Sequence, residues 1–76
     1  MEIKGDNKRV LEYIRENGSI TSMDAIREFG ITRLAAVIYK LKNIWGIAIE
    51  THYETARDRF GEYTRYARYT FPEVTE

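Results

Sequence analysis

"GSITSMDAIREFGITRLAAVIYKLK", residues 18–42, holds two helix signals separated by one tight turn. Thr21 or Ser22 can cap the first helix, and Thr21 with Asp24 forms a capping box in which Asp takes the Glu role. That helix is predicted over about Ser22 to Phe29, burying Ala25, Ile26 and Phe29, with Gly30 as its stop. Only residues 30–32 precede the next helix, whose predicted N-cap is Thr32. There Leu34, Val37, Ile38, Leu41, Ile44 and Trp45 fall within one apolar stripe at about 100° per residue, and Gly46 ends it. Thr32, Ala36, Tyr39, Lys40 and Asn43 lie opposite the stripe, with Arg33, Ala35 and Lys42 on its flanks. The solvent side of this helix thus carries only positive charge, in a chain whose net charge is zero.

Upstream, Asp6 is a predicted N-cap. Val10, Leu11 and Ile14 recur at helical spacing until Asn17-Gly18, which predicts a helix over about Asn7 to Asn17. Ser19 to Thr21 is β-branched and short, enough for a stub of strand. Downstream the period changes from helical to alternating. In residues 47–54, Ile47, Ile49, Thr51 and Tyr53 share one face and Ala48, Glu50, His52 and Glu54 the other. In "YTRYARYTF", residues 63–71, Ala67, Tyr69 and Phe71 share a face. Between them Thr55 to Glu62 is polar and contains Gly61, so the two strands are predicted to form a hairpin with a long tip. Pro72 ends the second strand, and residues 73–76 are expected to fray. The whole chain, 1–76, reads as one domain with an ordered core of about residues 6–72.

The length of 76 residues is near the lower limit for a single core without staples, and there is no cysteine to supply a disulfide or thiolate site. An apolar share of 43%, with six Tyr, three Phe and one Trp, is enough to bury and argues against disorder. The longest apolar or glycine run, residues 44–49, is far too short to span a bilayer, and no signal peptide is visible. Cytoplasmic residence is the expectation. Twelve basic residues balance twelve acidic ones, but not evenly: no acid occurs between Gly30 and Ile49.

Helix, strand stub, helix, glycine turn, helix and terminal hairpin is the order of a winged helix-turn-helix. Residues 18–42 resemble a family of small helix-turn-helix domains of bacterial and phage proteins. The resemblance lies in the G-S-I-T start, the Asp-Ala of the middle helix, and G-I-T-R-L-A-A ahead of a recognition-type helix. The Tyr- and Arg-rich last strand extends it over about Lys8 to Phe71. It implies an α+β fold, a three-helix core plus a C-terminal β-hairpin wing, and DNA binding. Ala25 and Gly30 are five apart, where the older repressor pattern has four, which favours the winged variety.

A recognition helix must approach base edges in the major groove. Ala35 and Ala36 keep that face narrow, Arg33 and Lys40 reach phosphates or guanine, and Tyr39, Asn43 and Thr32 add polar contacts. In the wing, Arg57 and Arg59 are predicted at the tip and Arg65 and Arg68 on the last strand, facing the backbone or a minor groove. The same residues also suit a solvated surface: Ala is the best helix former, and Glu54, Asp58 and Glu62 offer cross-strand partners to the wing arginines. Tyr63, Tyr66 and Tyr69 suggest a stacking platform for single strands, although Tyr69 is expected in the core and Tyr66 on the outer face.

An enzyme is a poor fit. His52 is the sole histidine and there is no cysteine or phosphate-cradling loop, so neither a metal cluster nor a nucleophile-base pair is expected. Glu50, His52 and Glu54 share a strand face, which reads as an ordinary polar face. No cofactor or metal is expected. The sequence therefore points to a sequence-specific or architectural double-stranded DNA-binding protein, a transcriptional regulator of phage or bacterial type. The alternative is a winged-helix module for protein interaction, such as a phage protein docking on a host factor. A homodimer or a protein partner stays open, and double-stranded RNA is a third, weaker candidate.

Overall fold

The computed structural model describes residues 3–72, so the expected fraying of residues 73–76 lies outside the described part. Helix α1 (Asp6–Asn17) starts one residue earlier than expected. Gly5, at φ 64°, occupies the N-cap without a side-chain bond, and Asp6 sits inside the first turn, paired with Arg9 at 3.1 Å. Asp6 is thus not the cap. An acid in the first turn still interacts favourably with the helix dipole. Gly18, at φ 90°, closes the helix by donating its N–H to the Ile14 carbonyl at 2.7 Å.

Strand β1 (Ser19–Thr21) leads directly into helix α2 (Ser22–Phe29). The capping box forms as expected: the Asp24 N–H donates to Thr21 Oγ1 at 3.2 Å, and the Thr21 N–H donates to Asp24 Oδ2 at 3.0 Å. Gly30 then adopts the left-handed conformation (φ 67°, ψ 19°), which lets its own N–H and that of Ile31 reach the carbonyls of Ile26 and Ala25. Ile31 is buried by this reversal. Ile26, expected inside, is 46% exposed. An eight-residue helix buries only a narrow stripe, here along Ala25 and Phe29, and Ile26 falls about a quarter-turn off it.

Helix α3 (Leu34–Asn43) begins with its apolar stripe at Leu34 but ends before Ile44 and Trp45 complete it. Its N-cap position belongs to Arg33, not Thr32, and no side chain caps it. At the other end, Ile44 and Ile47 donate their N–H groups to the carbonyls of Lys40 and Leu41, and Gly46 turns the chain at φ 66°. Leu34, Val37, Ile38 and Leu41 are buried as expected. Ile44, at the edge of the stripe and past the last regular turn, is 59% exposed, whereas Trp45 folds back onto the core.

Strands β2 (Glu50–Arg57) and β3 (Tyr63–Thr70) form the expected hairpin, with a tip of residues 58–62 that is shorter than Thr55 to Glu62. All three strands join one antiparallel sheet in the order β1-β3-β2, so the last strand lies in the middle. The register pairs Ile20 with Tyr69, Thr51 with Tyr69, Tyr53 with Ala67 and Arg57 with Tyr63. The odd-numbered face of β2 and β3 therefore continues the face on which Ile20 and Tyr69 meet the core. That core gathers Val10 and Ile14 of α1, Ala25 of α2, the α3 stripe, Ile31 and Ile49. Burying each Ile, Leu or Val contributes about 1.5–3 kcal/mol. Beyond Thr51 the hairpin leaves the core, and every β2 residue except Glu54 is exposed. Six residues at about 3.3 Å each carry the tip about 20 Å outward, in keeping with a longest axis of 46 Å.

Candidate nucleic-acid interface

Helix α3 presents Thr32, Arg33, Ala35, Tyr39, Lys40, Lys42 and Asn43 to solvent, with Ala36 half-buried among them. Tyr39 is 67% exposed. The Asn43 amide nitrogen donates to the Tyr39 carbonyl at 2.9 Å, which orients the side chain and leaves its oxygen outward as an acceptor. The first turn contains no acid and no capping side chain, in contrast to α2, whose cap is fully engaged. The positive end of the α3 dipole is accordingly open to an anion, with Arg33 beside it. Lys40 and Lys42 occupy the last turn, where they also offset the negative end.

Pairing divides the cations by location. Of 12 Lys and Arg residues, Arg9, Arg15 and Arg27 pair with acids on α1 and α2, and Arg68 pairs with Glu54. The other eight have no acidic partner among the described residues, and six of those, Arg33, Lys40, Lys42, Arg57, Arg59 and Arg65, lie on α3 or the wing. Charges left unpaired at a surface keep their full field for a ligand.

The two faces of the wing differ in kind. The even face holds Glu50, His52 and Glu54 on β2 and Thr64, Tyr66 and Arg68 on β3. There the Tyr66 hydroxyl donates to Glu54 Oε1 at 2.7 Å, Arg68 Nε donates to Glu54 Oε2 at 3.0 Å, and Arg68 Nη1 donates to Ser19 Oγ at 2.9 Å. The Tyr66 hydroxyl and the Arg68 guanidinium hold the Glu54 carboxyl below its usual range, and Glu54 in turn raises Arg68. Arg68, expected to face DNA, is thus engaged in tying the wing to β1. His52 approaches Glu50 at 3.3 Å, while the Glu54 carboxylate is held by Tyr66 and Arg68.

The odd face carries no acid at all: Tyr53, Thr55 and Arg57 on β2 oppose Tyr63, Arg65 and Ala67 on β3. The Arg65 guanidinium lies 4.2 Å from the Tyr53 ring centroid, and that of Arg57 lies 5.4 Å from Tyr63. Stacking orders both arginines while leaving their N–H edges available for phosphate oxygens. Tyr53 was not among the expected site residues, although strict alternation within β2 already placed it on the face of Arg57. Tyr63, Tyr66 and Tyr69 do not form one platform, because Tyr66 points to the opposite face from the other two.

The tip positions Arg59 and Phe60. Asp58, expected as a possible ion-pair partner, instead accepts the N–H groups of Phe60 and Glu62 through Oδ1 at 2.9 and 3.0 Å. Its carboxylate therefore shapes the turn and neutralises no arginine among the described residues.

Among the described residues no helix is long and apolar enough to cross a membrane. The family described as winged helix-turn-helix domain matches residues 5–74. No curated protein and no solved structure matches the chain. With nearly its whole length matched and with three helices and a three-stranded antiparallel sheet, the chain belongs to that family.

Proposed function

We propose that this member of the winged helix-turn-helix family binds double-stranded DNA, with α3 in the major groove and the odd face of the wing on the adjacent backbone. Thr32, Arg33, Ala36, Tyr39, Lys40 and Asn43 form the DNA-facing surface of α3, on which Arg33 and Lys40 reach phosphates, and Arg57, Arg59 and Arg65 are the phosphate contacts of the wing. Arg68 supports them by anchoring β3 to Ser19 and Glu54. The observation that carries this reading is the division of charges: cations elsewhere on the folded body are largely paired, and those on α3 and the acid-free wing face are not. The protein is a cytoplasmic regulator of bacterial or phage type that works by binding and not by catalysis. One module of this kind covers only about 600–1,000 Å² of its own surface on DNA, so a second copy on a neighbouring half-site would supply strong specificity.

Fluorescence anisotropy with a short random-sequence duplex tests the reading. Micromolar binding that weakens steeply between low and physiological salt is expected. No binding at low salt would refute it. One observation favours the second reading, a protein-docking module: Met23 and Ile26 lie three residues apart on α2 and are 68% and 46% exposed. Such a partner would be indifferent to Arg33 and Lys40 and sensitive to Met23→Ser/Ile26→Ser.

A further inference from the structure

Phe60 is 77% exposed, more than any other large apolar side chain in the described part, and it stands at the apex of the wing. It has no role in the core, and a phenyl ring held in water is unfavourable until something covers it. The backbone beneath it is nevertheless tightly ordered. Asp58 Oδ1 receives the Phe60 and Glu62 N–H groups, the Asp58 N–H donates to the Glu62 carbonyl at 2.7 Å, and the Gly61 N–H donates to the Asp58 carbonyl at 3.0 Å. Gly61, at φ 82°, permits that closure. These four bonds within residues 58–62 hold an apolar side chain outward on a stiff stalk.

We propose that Phe60 is a wedge that enters the minor groove, inserts between two base pairs and kinks the duplex. This rests on the DNA reading above and adds a mode of action to it. Apolar rings at the ends of rigid elements unstack base steps and bend DNA toward the major groove. The reach is right. The tip lies about 20 Å beyond the core, and the minor groove lies about half a helical turn, roughly 17 Å, from the major-groove site of a recognition helix. The surroundings suit a duplex. Arg59 lies with its guanidinium 5.1 Å from the Phe60 ring centroid, and Arg57 and Arg65 line the acid-free face behind it. Asp58 and Glu62 outweigh Arg59 at the tip by one charge, so Arg57 and Arg65 behind it supply the attraction to phosphate and the ring supplies the insertion energy. The favoured targets are steps that unstack easily, pyrimidine followed by purine.

The test uses the full chain and a duplex carrying a central TA step, with 2-aminopurine beside the step and a dye pair at the two ends. Wild-type protein is expected to raise 2-aminopurine fluorescence and shorten the end-to-end distance. Phe60→Ala is expected to abolish both signals and to weaken binding by about tenfold, without changing the slope of affinity against salt. Phe60→Trp should keep the bend, and its new indole should be quenched by the bases. Phe60 is exposed, so circular dichroism should show both variants folded. If Phe60→Ala binds and bends like wild type, the wedge is overturned and the DNA reading stands. If the Phe60→Ala slope changes along with affinity, the ring acts through the arginines and the wedge is likewise overturned. If wild-type protein binds no duplex at low salt, the DNA reading falls and the wedge with it.

Discussion

Replacing Arg33 and Lys40 together by Ala tests whether charge position, and not net charge, carries the interaction. Both side chains are exposed and unpaired, so their loss leaves no buried group unsatisfied. Stability should change by less than about 1 kcal/mol, most of it from the dipole interaction of Lys40. The effect on binding is larger. Each phosphate contact contributes about 0.9 to the slope of log affinity against log salt. With the non-electrostatic part unchanged, removing one contact weakens binding at 0.1 M salt about eightfold, and removing two weakens it about 60-fold. The control is Arg9→Ala/Arg15→Ala, which changes net charge equally but breaks only the surface pairs with Asp6 and Glu12 at 3.1 and 3.4 Å. Anisotropy titrations at five or so salt concentrations give both slopes. The α3 variant should lose about 1.8 in slope and the control almost nothing. Equal losses in the two variants would show that the protein binds DNA only as a diffuse polycation, and the division of paired from unpaired cations would then carry no functional meaning.

Three further outcomes are expected from the fold. Thr21→Ala removes one half of the α2 capping box at a buried position and should cost about 1 kcal/mol, read as a lower urea midpoint at unchanged m-value. Leu41→Ala, at a site with no exposure, should cost about 2–5 kcal/mol, a large part of the total for so small a domain, and thermal scans should show it partly unfolded at moderate temperature. For pH, burial alone would raise the Asp24 carboxyl, but hydrogen bonds from Thr21 and Arg27 outweigh it and leave the native pKa below the usual carboxylate value. The stability Asp24 provides is therefore complete above about pH 4 and is lost as pH falls through its native pKa. Asp24→Asn should flatten the decline in urea stability between neutral pH and pH 3; an equally steep decline would assign it to other carboxylates.

The helices were legible because their signals are local. Thr21 with Asp24, the stops at Gly18, Gly30 and Gly46, and the α3 stripe each lie within a turn or two of what they control. The ends were less so. Asp6 and Thr32 are good caps by residue type, yet the chain places Gly5 and Arg33 in those positions, since a cap needs the right backbone angles as well as an oxygen. Ile26 and Ile44 satisfy helical spacing but face no neighbouring element, which only the tertiary arrangement decides. Alternation gave the strand faces correctly. What it could not give is the register that sets Arg65 over Tyr53, or the bond that takes Arg68 to Ser19, 49 residues away. The candidate site was thus legible in its cations and not in which of them were already engaged.

The middle strand of the sheet is also the last to be synthesised. While the ribosome is still making residues 63–70, β1 has no partner at all and β2 has none either, although α1, α2 and α3 are already complete. Joining Ser19 to Arg68 closes a loop of about 50 residues, but loop entropy grows slowly enough that each doubling of length adds only about 0.6 kcal/mol. Arrival of β3 settles both pairings together, fastening the wing to the helical body in the same event that creates it. The nascent chain therefore holds its three helices with two unmatched strands, and then gains the whole wing, already fastened, in one late step.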